Sequence, residues 1–334
     1  MTTYKGIRGF TIQSLASDPS NLTTGQIWYN TTSTVIKGYA SIGAAWSSGG
    51  DLNTGRGNGS GYGTTSAGMA ASGSGPQPAA EEMKTETYDG TSWTQAANSV
   101  IYQKTSAGAS GTTTAALMFG AGTPNSAIQS YDGTSWSDPG HDMNTGRMGM
   151  GSGGGPGGQT ASIASGGWEP GLSSLTETYN GSTWTEVNNC NTARVYIASA
   201  YGSPQTTALI FGGQSTSWPA TPNQVDLTEQ WNGTCWTEVN DMNGIRSEAG
   251  SFGISTGAMA VAGYRGFPAG LIDEVEQYDG TSWTEVADVS APRSYSICSG
   301  SVTEGFSAGG SPGGLAVTEE WADPNFSTVT FTAS

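Results

Sequence analysis

The sequence is poor in charged residues, and basic ones are the scarcest. Of 334 residues, 11 are Lys or Arg and 27 are Asp or Glu, so the formal net charge is −16. Such a surface repels phosphate backbones and anionic lipid headgroups. The chain also lacks a run of about 18 apolar residues, the length that a membrane-spanning helix needs. We therefore expect neither nucleic-acid binding nor membrane insertion.

Cysteine and histidine are scarce as well. The three cysteines, Cys190, Cys235 and Cys298, lie far apart in the sequence, which predicts reduced thiols rather than a disulfide framework. The single His141 follows Pro139-Gly140 in a polar stretch with no Cys or second His nearby, which argues against a metal site and a Ser-His-Asp triad. No carboxylates stand out as an acid and a base. We predict no catalytic residues, no metal and no cofactor.

A six-residue aromatic phrase recurs along the chain. Tyr88-Asp89-Gly90-Thr91-Ser92-Trp93 is the clearest copy, and its relatives begin at Tyr131, Tyr179, Trp231, Tyr278 and, in worn form, Trp321. Asx-Gly between two aromatic, Thr-rich runs is a strong hairpin signal, because Gly and Asn tolerate positive φ. The spacings of 43, 48, 52, 47 and 43 residues are typical of propeller blades. With 52 glycines and no helical periodicity, the pattern favours an all-β fold.

A cation follows each tryptophan at a nearly constant distance. These cations stand 10 or 11 residues after the Trp and are Arg56, Lys104, Arg147, Arg194, Arg246 and Arg293. A Gly or Gly pair comes 16 to 19 residues later, after a small apolar run. Two strands between cation and glycine, a third before the aromatic phrase and a fourth from its Trp make a four-stranded antiparallel blade.

This order of residues resembles the kelch repeat. The clearest match is Arg194, then Phe211-Gly212-Gly213, a variable loop, Glu229-Gln230-Trp231-Asn232 and Trp236. The resemblance covers about residues 39 to 326, and it implies a kelch-like β-propeller. The Gly pair is weakened in the first, second and fifth repeats, and Lys104 stands in place of Arg.

A second resemblance lies near the N-terminus. The segment from Gly25 to Tyr39, GQIWYNTTSTVIKGY, is similar to a segment that recurs in virion proteins of tailed bacteriophages. On its own terms it predicts a β-hairpin with a Thr/Ser turn. We therefore expect residues 1–36 to be an N-terminal attachment segment and residues 37–334 to be the propeller.

A glutamate stands two residues before the first aromatic of most phrases. These glutamates are Glu86, Glu177, Glu229, Glu276 and Glu319, with Gln129 in the remaining full repeat. We interpret the cations and carboxylates as a structural ion-pair lattice that specifies register. The alternative is a ring of cations around the axial channel that binds an anionic sugar or carboxylate.

The two ends of the repeat pattern complement each other. Glu319 and Trp321 have no cation and no further Trp after them, whereas Trp46 precedes the first cation, Arg56. We predict that the segment from Ala44 to Ser48 completes the blade formed by residues 293–323, because strand pairing of the termini removes open sheet edges. Six cation-to-glycine segments predict six blades. Seven remains the alternative, because Tyr39 and Trp321 are both candidates for third strands.

The irregular loops carry the aromatic residues that belong to no repeat position. Trp168, Trp218, Tyr264 and Phe267, with Arg265, are the predicted ligand-binding residues. The alternative for each aromatic is that it caps its own blade. The resemblance to virion proteins implies a non-enzymatic tail fibre or appendage on the particle surface. Its N-terminal segment would contact other virion proteins, its loops a host glycan or protein, and it would be oligomeric. A capsid or tail decoration module and a polysaccharide-active enzyme are the alternative functions.

Overall fold

The described part of the chain is built almost entirely from β-strands. A computed structural model describes residues 12–23, 25–75, 83–100, 106–122, 125–216 and 223–331. These residues form 28 strands and a single-turn 3₁₀ helix at Gly155–Gly157. None of their helical segments is long and apolar enough to cross a membrane. The all-β prediction is confirmed.

The chain divides into two compact units, Met1–Ala45 with Ala322–Ser334, and Trp46–Trp321. The first unit contains β1 (Gln13–Leu15), β2 (Ile27–Asn30) and the beginning of β3 (Val35–Ser48). β2 and β3 pair as an antiparallel hairpin with Ile27 opposite Gly38, so the hairpin predicted in this segment is present. β1 lies parallel to β2. The predicted domain boundary after residue 36 stays a prediction.

Asp18 holds the loop before β2 against the hairpin of the first unit. Its carboxylate accepts hydrogen bonds from Trp28 Nε1 at 3.1 Å and Asn30 Nδ2 at 2.8 Å. Lys37 Nζ forms a salt bridge with it at 2.8 Å. The hydrogen bond from Lys37, followed by that from Asn30, lowers the pKa of Asp18. The segment predicted to be an attachment segment thus contains a hairpin and a loop that hydrogen bonds and a salt bridge join.

The second unit is built mainly from four-stranded antiparallel sheets. The first two consist of β4 (Ser60–Thr64), β5 (Ala67–Ala71), β6 (Thr85–Tyr88) and β7 (Trp93–Gln95), and of β8 (Gly108–Thr112), β9 (Ala115–Phe119), β10 (Ile128–Tyr131) and β11 (Trp136–Ser137). The third contains β12 (Gly151–Gly153), β13 (Ser162–Ser165), β16 (Thr176–Tyr179) and β17 (Trp184–Val187). A separate two-stranded sheet, β14 (Trp168–Glu169) with β15 (Gly171–Leu172), lies between β13 and β16 in sequence.

Two further four-stranded sheets and one larger sheet follow. They consist of β18 (Ala198–Ser199), β19 (Leu209–Phe211), β20 (Thr228–Trp231) and β21 (Trp236–Glu238), and of β22 (Gly250–Ile254), β23 (Gly257–Tyr264), β24 (Leu271–Tyr278) and β25 (Trp283–Glu285). The last strands are β26 (Ile297–Ser301), β27 (Glu304–Ala308) and β28 (Thr318–Phe331). They belong to a six-stranded sheet with the order β1-β2-β3-β28-β27-β26.

The first strands of successive larger sheets contact one another in order. β4 contacts β8, β8 contacts β12, β12 contacts β18, β18 contacts β22, and β22 contacts β26. β26 in turn contacts β4, which closes the circle. Sheets arranged around a common axis in this way form a β-propeller, the architecture that the repeats predict.

The first five aromatic phrases form the turns between the third and fourth strands of their sheets. The worn phrase that begins at Trp321 does not form the expected turn, because it lies within the continuous strand β28. In the first copy, Tyr88 pairs with Trp93 across β6 and β7, and their ring centroids are 4.8 Å apart. The Asp89 carboxylate accepts hydrogen bonds from the backbone N–H groups of Thr91 and Ser92, both at 2.8 Å. These bonds lower the pKa of Asp89. Gly90 has a φ of 91°, the left-handed conformation for which Gly is suited.

Trp46 supplies the tryptophan that the last phrase lacks. β3 neighbours β28, and within the second unit Gly49 N–H donates to the Thr318 carbonyl at 2.9 Å. The rings of Trp46 and Trp321 lie 5.4 Å apart. Trp46 therefore occupies the place that Trp93 has beside Tyr88, which is the strand pairing of the chain ends predicted from the sequence.

The phrase tryptophans also join neighbouring sheets. Indole N–H groups donate at 3.0 to 3.1 Å to threonine hydroxyls on the preceding sheet, in the pairs Trp93–Thr318, Trp136–Thr85, Trp236–Thr176 and Trp283–Thr228. Trp184 departs from this pattern, because the residue in the threonine position is Ile128 and its indole N–H has no partner among the described residues. Indole-to-threonine hydrogen bonds thus connect four of the sheet pairs.

Replacing one of these threonines should destabilise the propeller. In the Thr228→Val variant, the buried Trp283 indole N–H loses its acceptor, and such a loss costs about 1–3 kcal/mol. Denaturant unfolding measures the change. The matched control is Thr237→Val, at an exposed position of β21, which should change the free energy of unfolding by less than about 0.5 kcal/mol. Equal effects of the two substitutions would contradict the role given to the indole hydrogen bond.

Candidate functional site: the axial cavity and its loop face

The repeated cations and glutamates form buried ion pairs inside single sheets. Arg56 lies 2.5 Å from Glu86, Arg147 lies 2.9 Å from Glu177, and Arg194 lies 2.7 Å from Glu229. Arg246 pairs with Glu276 and Arg293 with Glu319 in the same way. Every side chain in these pairs is at most 6 % exposed. Lys104 lies outside the described residues. Five ion pairs thus have the geometry of the structural lattice.

An asparagine that the sequence analysis missed completes several of these pairs. Asn53, three residues before Arg56, donates its backbone N–H and its side-chain Nδ2 to Glu86 Oε2, both at 2.8 Å. Its Nδ2 also donates to the Trp93 carbonyl at 2.7 Å. Asn243 makes the equivalent contacts with Glu276 and Trp283. The recurrence of Asn three residues before Arg was the signal that could have revealed this role.

The same arginines connect each sheet to the one before it. The Arg246 carbonyl accepts a hydrogen bond from Gly213 N–H at 2.9 Å, and the Arg56 carbonyl accepts one from Gly310 N–H at 3.0 Å. Gly212 has a φ of 63°, and a Cβ at this position would meet the Arg246 carbonyl oxygen at 2.6 Å. The Gly pair is therefore needed because the next repeat approaches so closely.

An axial cavity of about 110 Å³ lies among the first strands of the larger sheets. At its mouth is the channel ring, a set of residues that each follow a repeat cation by two positions. The channel ring consists of Asn58, Ser106, Gly149, Tyr196, Glu248 and Tyr295. The paired arginines do not line this cavity, so the alternative of a cation ring around the axis does not describe the five arginines that the structure places.

The channel ring is held in an unusual backbone conformation. All six residues have left-handed φ values between 54° and 64°, although only one of them is glycine. Backbone hydrogen bonds link them around the axis. Asn58 N–H donates to the Tyr295 carbonyl and Tyr295 N–H to the Glu248 carbonyl, both at 2.7 Å, and three further bonds between ring residues are 2.9 to 3.3 Å long. The sixth link comes from Ile197, the residue after Tyr196, whose N–H donates to the Gly149 carbonyl at 3.2 Å. Non-glycine residues persist in this conformation only where their surroundings impose it, and such residues cluster at functional sites.

Glu248 is the carboxylate of the channel ring. Among the described residues no cation forms an ion pair with it, in contrast to the five lattice glutamates. Burial raises the pKa of Glu248, and hydrogen bonding by Tyr295 and Ser294 opposes this effect without overcoming it. Burial, with the nearby negative charge of Glu248, also raises the pKa of Tyr196 and Tyr295. The two tyrosine rings meet edge to face, with centroids 5.8 Å apart.

The irregular loops lie on the same face as the channel ring. In each antiparallel sheet, the start of the first strand and the loop between the second and third strands are at one end, whereas the aromatic phrase is at the other. Bridges join Met148 to Trp168 and Ser247 to Tyr264, the first residue of β14 and the last of β23. The residue before each of two ring positions therefore pairs with a residue beside an irregular loop. We call this end of the propeller the loop face.

The predicted binding residues have different environments on the loop face. Trp168 and Tyr264 are half-buried and occupy equivalent bridge positions beside the channel ring. Arg265 is paired with Glu274, with Nη1 and Oε1 2.8 Å apart. Phe267 is 83 % exposed. Trp218 lies outside the described residues. Trp168 and Tyr264 thus lie beside the channel ring without lining the cavity, whereas Phe267 is exposed.

The described residues contain no group of three or more His, Cys, Asp or Glu side chains that could hold a metal ion. His141 is exposed on a loop. Cys190 and Cys298 are buried free thiols, and Cys235 is an exposed one. Burial raises the pKa of Cys190 to about 12 and that of Cys298 to about 11, so neither is a reactive thiolate at neutral pH.

Comparison with known proteins supports the fold alone. The chain is similar to a solved structure described as "Structure of YjhT", with a TM-score of 0.64 and 13 % sequence identity. The match covers 84 % of this chain and 99 % of that one. No protein family matches the sequence, and no curated protein matches it either. The similarity to YjhT therefore extends to the β-propeller architecture and not to an activity.

Removing one lattice carboxylate should destabilise the propeller strongly. Glu229→Gln leaves the buried Arg194 without a counter-charge, and breaking a buried pair in this way costs about 3–5 kcal/mol. Denaturant unfolding of this variant should show that loss. The control Glu238→Gln removes the same charge from an exposed position of β21 and should change stability by less than about 0.5 kcal/mol. A Glu229→Gln variant as stable as its control would rule out the structural role of the pair.

Glu248→Gln should have the opposite effect, and the effect should depend on pH. Because the folded-state pKa of Glu248 is raised, the ionised carboxylate costs stability once the pH exceeds that pKa. Below the ordinary carboxyl pKa both states are protonated and the cost disappears. The melting temperature of Glu248→Gln should exceed that of the wild type at about pH 8, and the gap should narrow towards about pH 4. The opposite result, a melting temperature of Glu248→Gln that falls further below the wild-type value as the pH rises, would show that the ionised carboxylate is stabilising.

Proposed function

We propose that this chain is a kelch-like propeller of six blades. The circle of contacts among the first strands and the six hydrogen-bonded residues of the channel ring support this count. The order of paired Arg, Gly or Gly pair, Glu and phrase Trp in most of the sheets supports the kelch-like assignment. The alternative of seven blades rests on Tyr39 and Trp321 as third strands of two different blades. Six is preferred because β3, which contains Tyr39, neighbours β28, which contains Trp321, in a single sheet.

The propeller acts as a non-enzymatic binding module, and the loop face is its binding surface. The observation that carries this proposal is the concentration of irregular features on one face. The aromatic phrases at the opposite end are nearly uniform turns, whereas the loop face combines the channel ring, the half-buried Trp168 and Tyr264, and the exposed Phe267. Variable loops on a rigid scaffold are the usual place for recognition.

Within this binding role, we propose that the chain belongs to a tail fibre or other appendage of a bacteriophage. This step rests on the resemblance of the segment from Gly25 to Tyr39 to virion proteins. The hairpin of β2 and β3, held by Asp18, would attach the chain to neighbouring virion proteins, and the chain would be oligomeric in the particle. A capsid or tail decoration module remains the alternative location.

An enzyme acting on polysaccharides is the competing function. Hydrolysis of a glycosidic bond ordinarily uses two carboxyl groups, one as acid and one as nucleophile or base. Among the described residues that line the axial cavity, Glu248 is the only carboxylate. This composition supports binding over catalysis, and turnover of a host polysaccharide by the purified chain would favour the enzyme instead.

Host adsorption tests the loop face as a binding surface. Phe267→Ala and Tyr264→Ala should each lower binding of the purified chain to host cells roughly tenfold or more, because aromatic side chains dominate such interfaces. The matched control is Thr134→Ala, an exposed turn residue of the opposite face, which should bind as well as wild type. Equal binding by all variants would exclude the loop face as the binding surface.

Electron microscopy of the particle should show that face pointing outward from the tail. Loops buried against other virion proteins would favour a decoration module.

A further inference from the structure

We propose that the axial cavity binds the end of an unbranched primary ammonium group. Glu248 would form the charged contact, and Tyr196 and Tyr295 would surround the alkyl stem. This inference rests on the residues of the cavity and does not depend on the assignment to a virion. Its test is independent of the test of the outer loops in host adsorption, so either proposal can fail without the other.

The carboxylate of Glu248 is the first reason. Glu248 lines the cavity, is half-buried, and has no ion-pair partner among the described residues. A partly desolvated carboxylate without a counter-charge is costly, and an arriving cation removes that cost. The net charge of −16 would also raise the local concentration of cations near the cavity.

The side chains around Glu248 favour an ammonium group over a metal ion. Tyr196 and Tyr295 present aromatic rings at the mouth, and aromatic rings attract organic cations. The hydroxyl of Ser296 is buried, lines the cavity and has no hydrogen-bond partner among the described residues. A primary ammonium has three N–H donors, and the carboxylate and this hydroxyl can accept hydrogen bonds from them. A metal ion would need several carboxylate or carbonyl ligands, and Glu248 is the one carboxylate present.

The size of the cavity selects a narrow ligand. A volume of about 110 Å³ accommodates an unbranched alkyl chain, and the walls below the channel ring are small residues such as Gly59, Ala107 and Ala249. A free aliphatic diamine and the side chain of a lysine in a partner protein share this chemistry. Quaternary ammonium groups are wider and lack N–H donors, so they should bind less well.

Calorimetric titration of the whole chain with 1,5-diaminopentane at physiological salt tests the inference. Affinity should fall as the pH decreases through the pKa of Glu248, because a protonated carboxyl no longer attracts the cation. Glu248→Gln should weaken binding about tenfold or more and remove the pH dependence, in line with the loss of a charge-assisted hydrogen bond. The control Glu238→Gln, an exposed carboxylate on an outer strand, should bind as wild type does.

Further ligands distinguish a free amine from a lysine side chain and test whether other ligands occupy the cavity. A lysine-containing peptide that binds in place of the diamine would identify a protein side chain as the ligand, whereas binding of the diamine alone would identify a free amine. Tetramethylammonium should compete poorly. The inference is overturned if neither amine binds, if Glu248→Gln binds as well as wild type, or if glucose or Ca²⁺ occupies the cavity in place of the amines. Near-ultraviolet circular dichroism would verify that the variants are folded.

Discussion

The buried Arg–Glu pair, which the described residues show in five of the sheets, is the interaction on which the propeller depends. Its guanidinium joins the loop before the first strand to the third strand of the same sheet, as Arg194 does through Glu229 and the carbonyls of Gly212 and Leu227. The carbonyl of the same kind of residue receives a glycine N–H from the preceding sheet. One residue therefore sets the geometry within a sheet and the distance to its neighbour. Such a pair specifies structure more than it adds net stability, because desolvation offsets much of the attraction.

The position of the channel ring follows from this constraint. Each ring residue stands two positions after a repeat cation, so the five anchored arginines bring five of the six ring backbones to the axis. The backbone geometry is nearly the same at all six positions, but the side chains differ widely, from Gly149 to Tyr295. The scaffold therefore repeats while the chemistry at its centre does not. This separation lets a uniform fold carry an asymmetric site, with Glu248 and two tyrosines on one side of the cavity.

Much of this architecture could be predicted from repeated residues. The aromatic phrase predicts its own turn because Asp89 and Gly90 act locally, through a side-chain hydrogen bond and a positive φ. The paired charges were visible as a fixed spacing. The role of Asn53 was missed because an asparagine before a turn has many local explanations, and its acceptor, Glu86, is 33 residues away. The channel ring was missed for a related reason. Tyrosine and glutamate are not residues that normally adopt left-handed φ, so no local pattern marks Tyr295 or Glu248.

The sequence by itself determined most of the strands and turns, the pairing of charges, and the pairing of the segment around Trp46 with the last repeat, because these depend on residue types that recur at regular intervals. Only the tertiary structure decided which residues meet at the axis and which carboxylate is partly buried without an ion-pair partner among the described residues. Glu248 looks like any surface glutamate along the chain. Closing the circle of sheets places it beside Tyr196 and Tyr295, and the exclusion of water there raises its pKa. Desolvation depends on every neighbour at once, so no single stretch of sequence contains it.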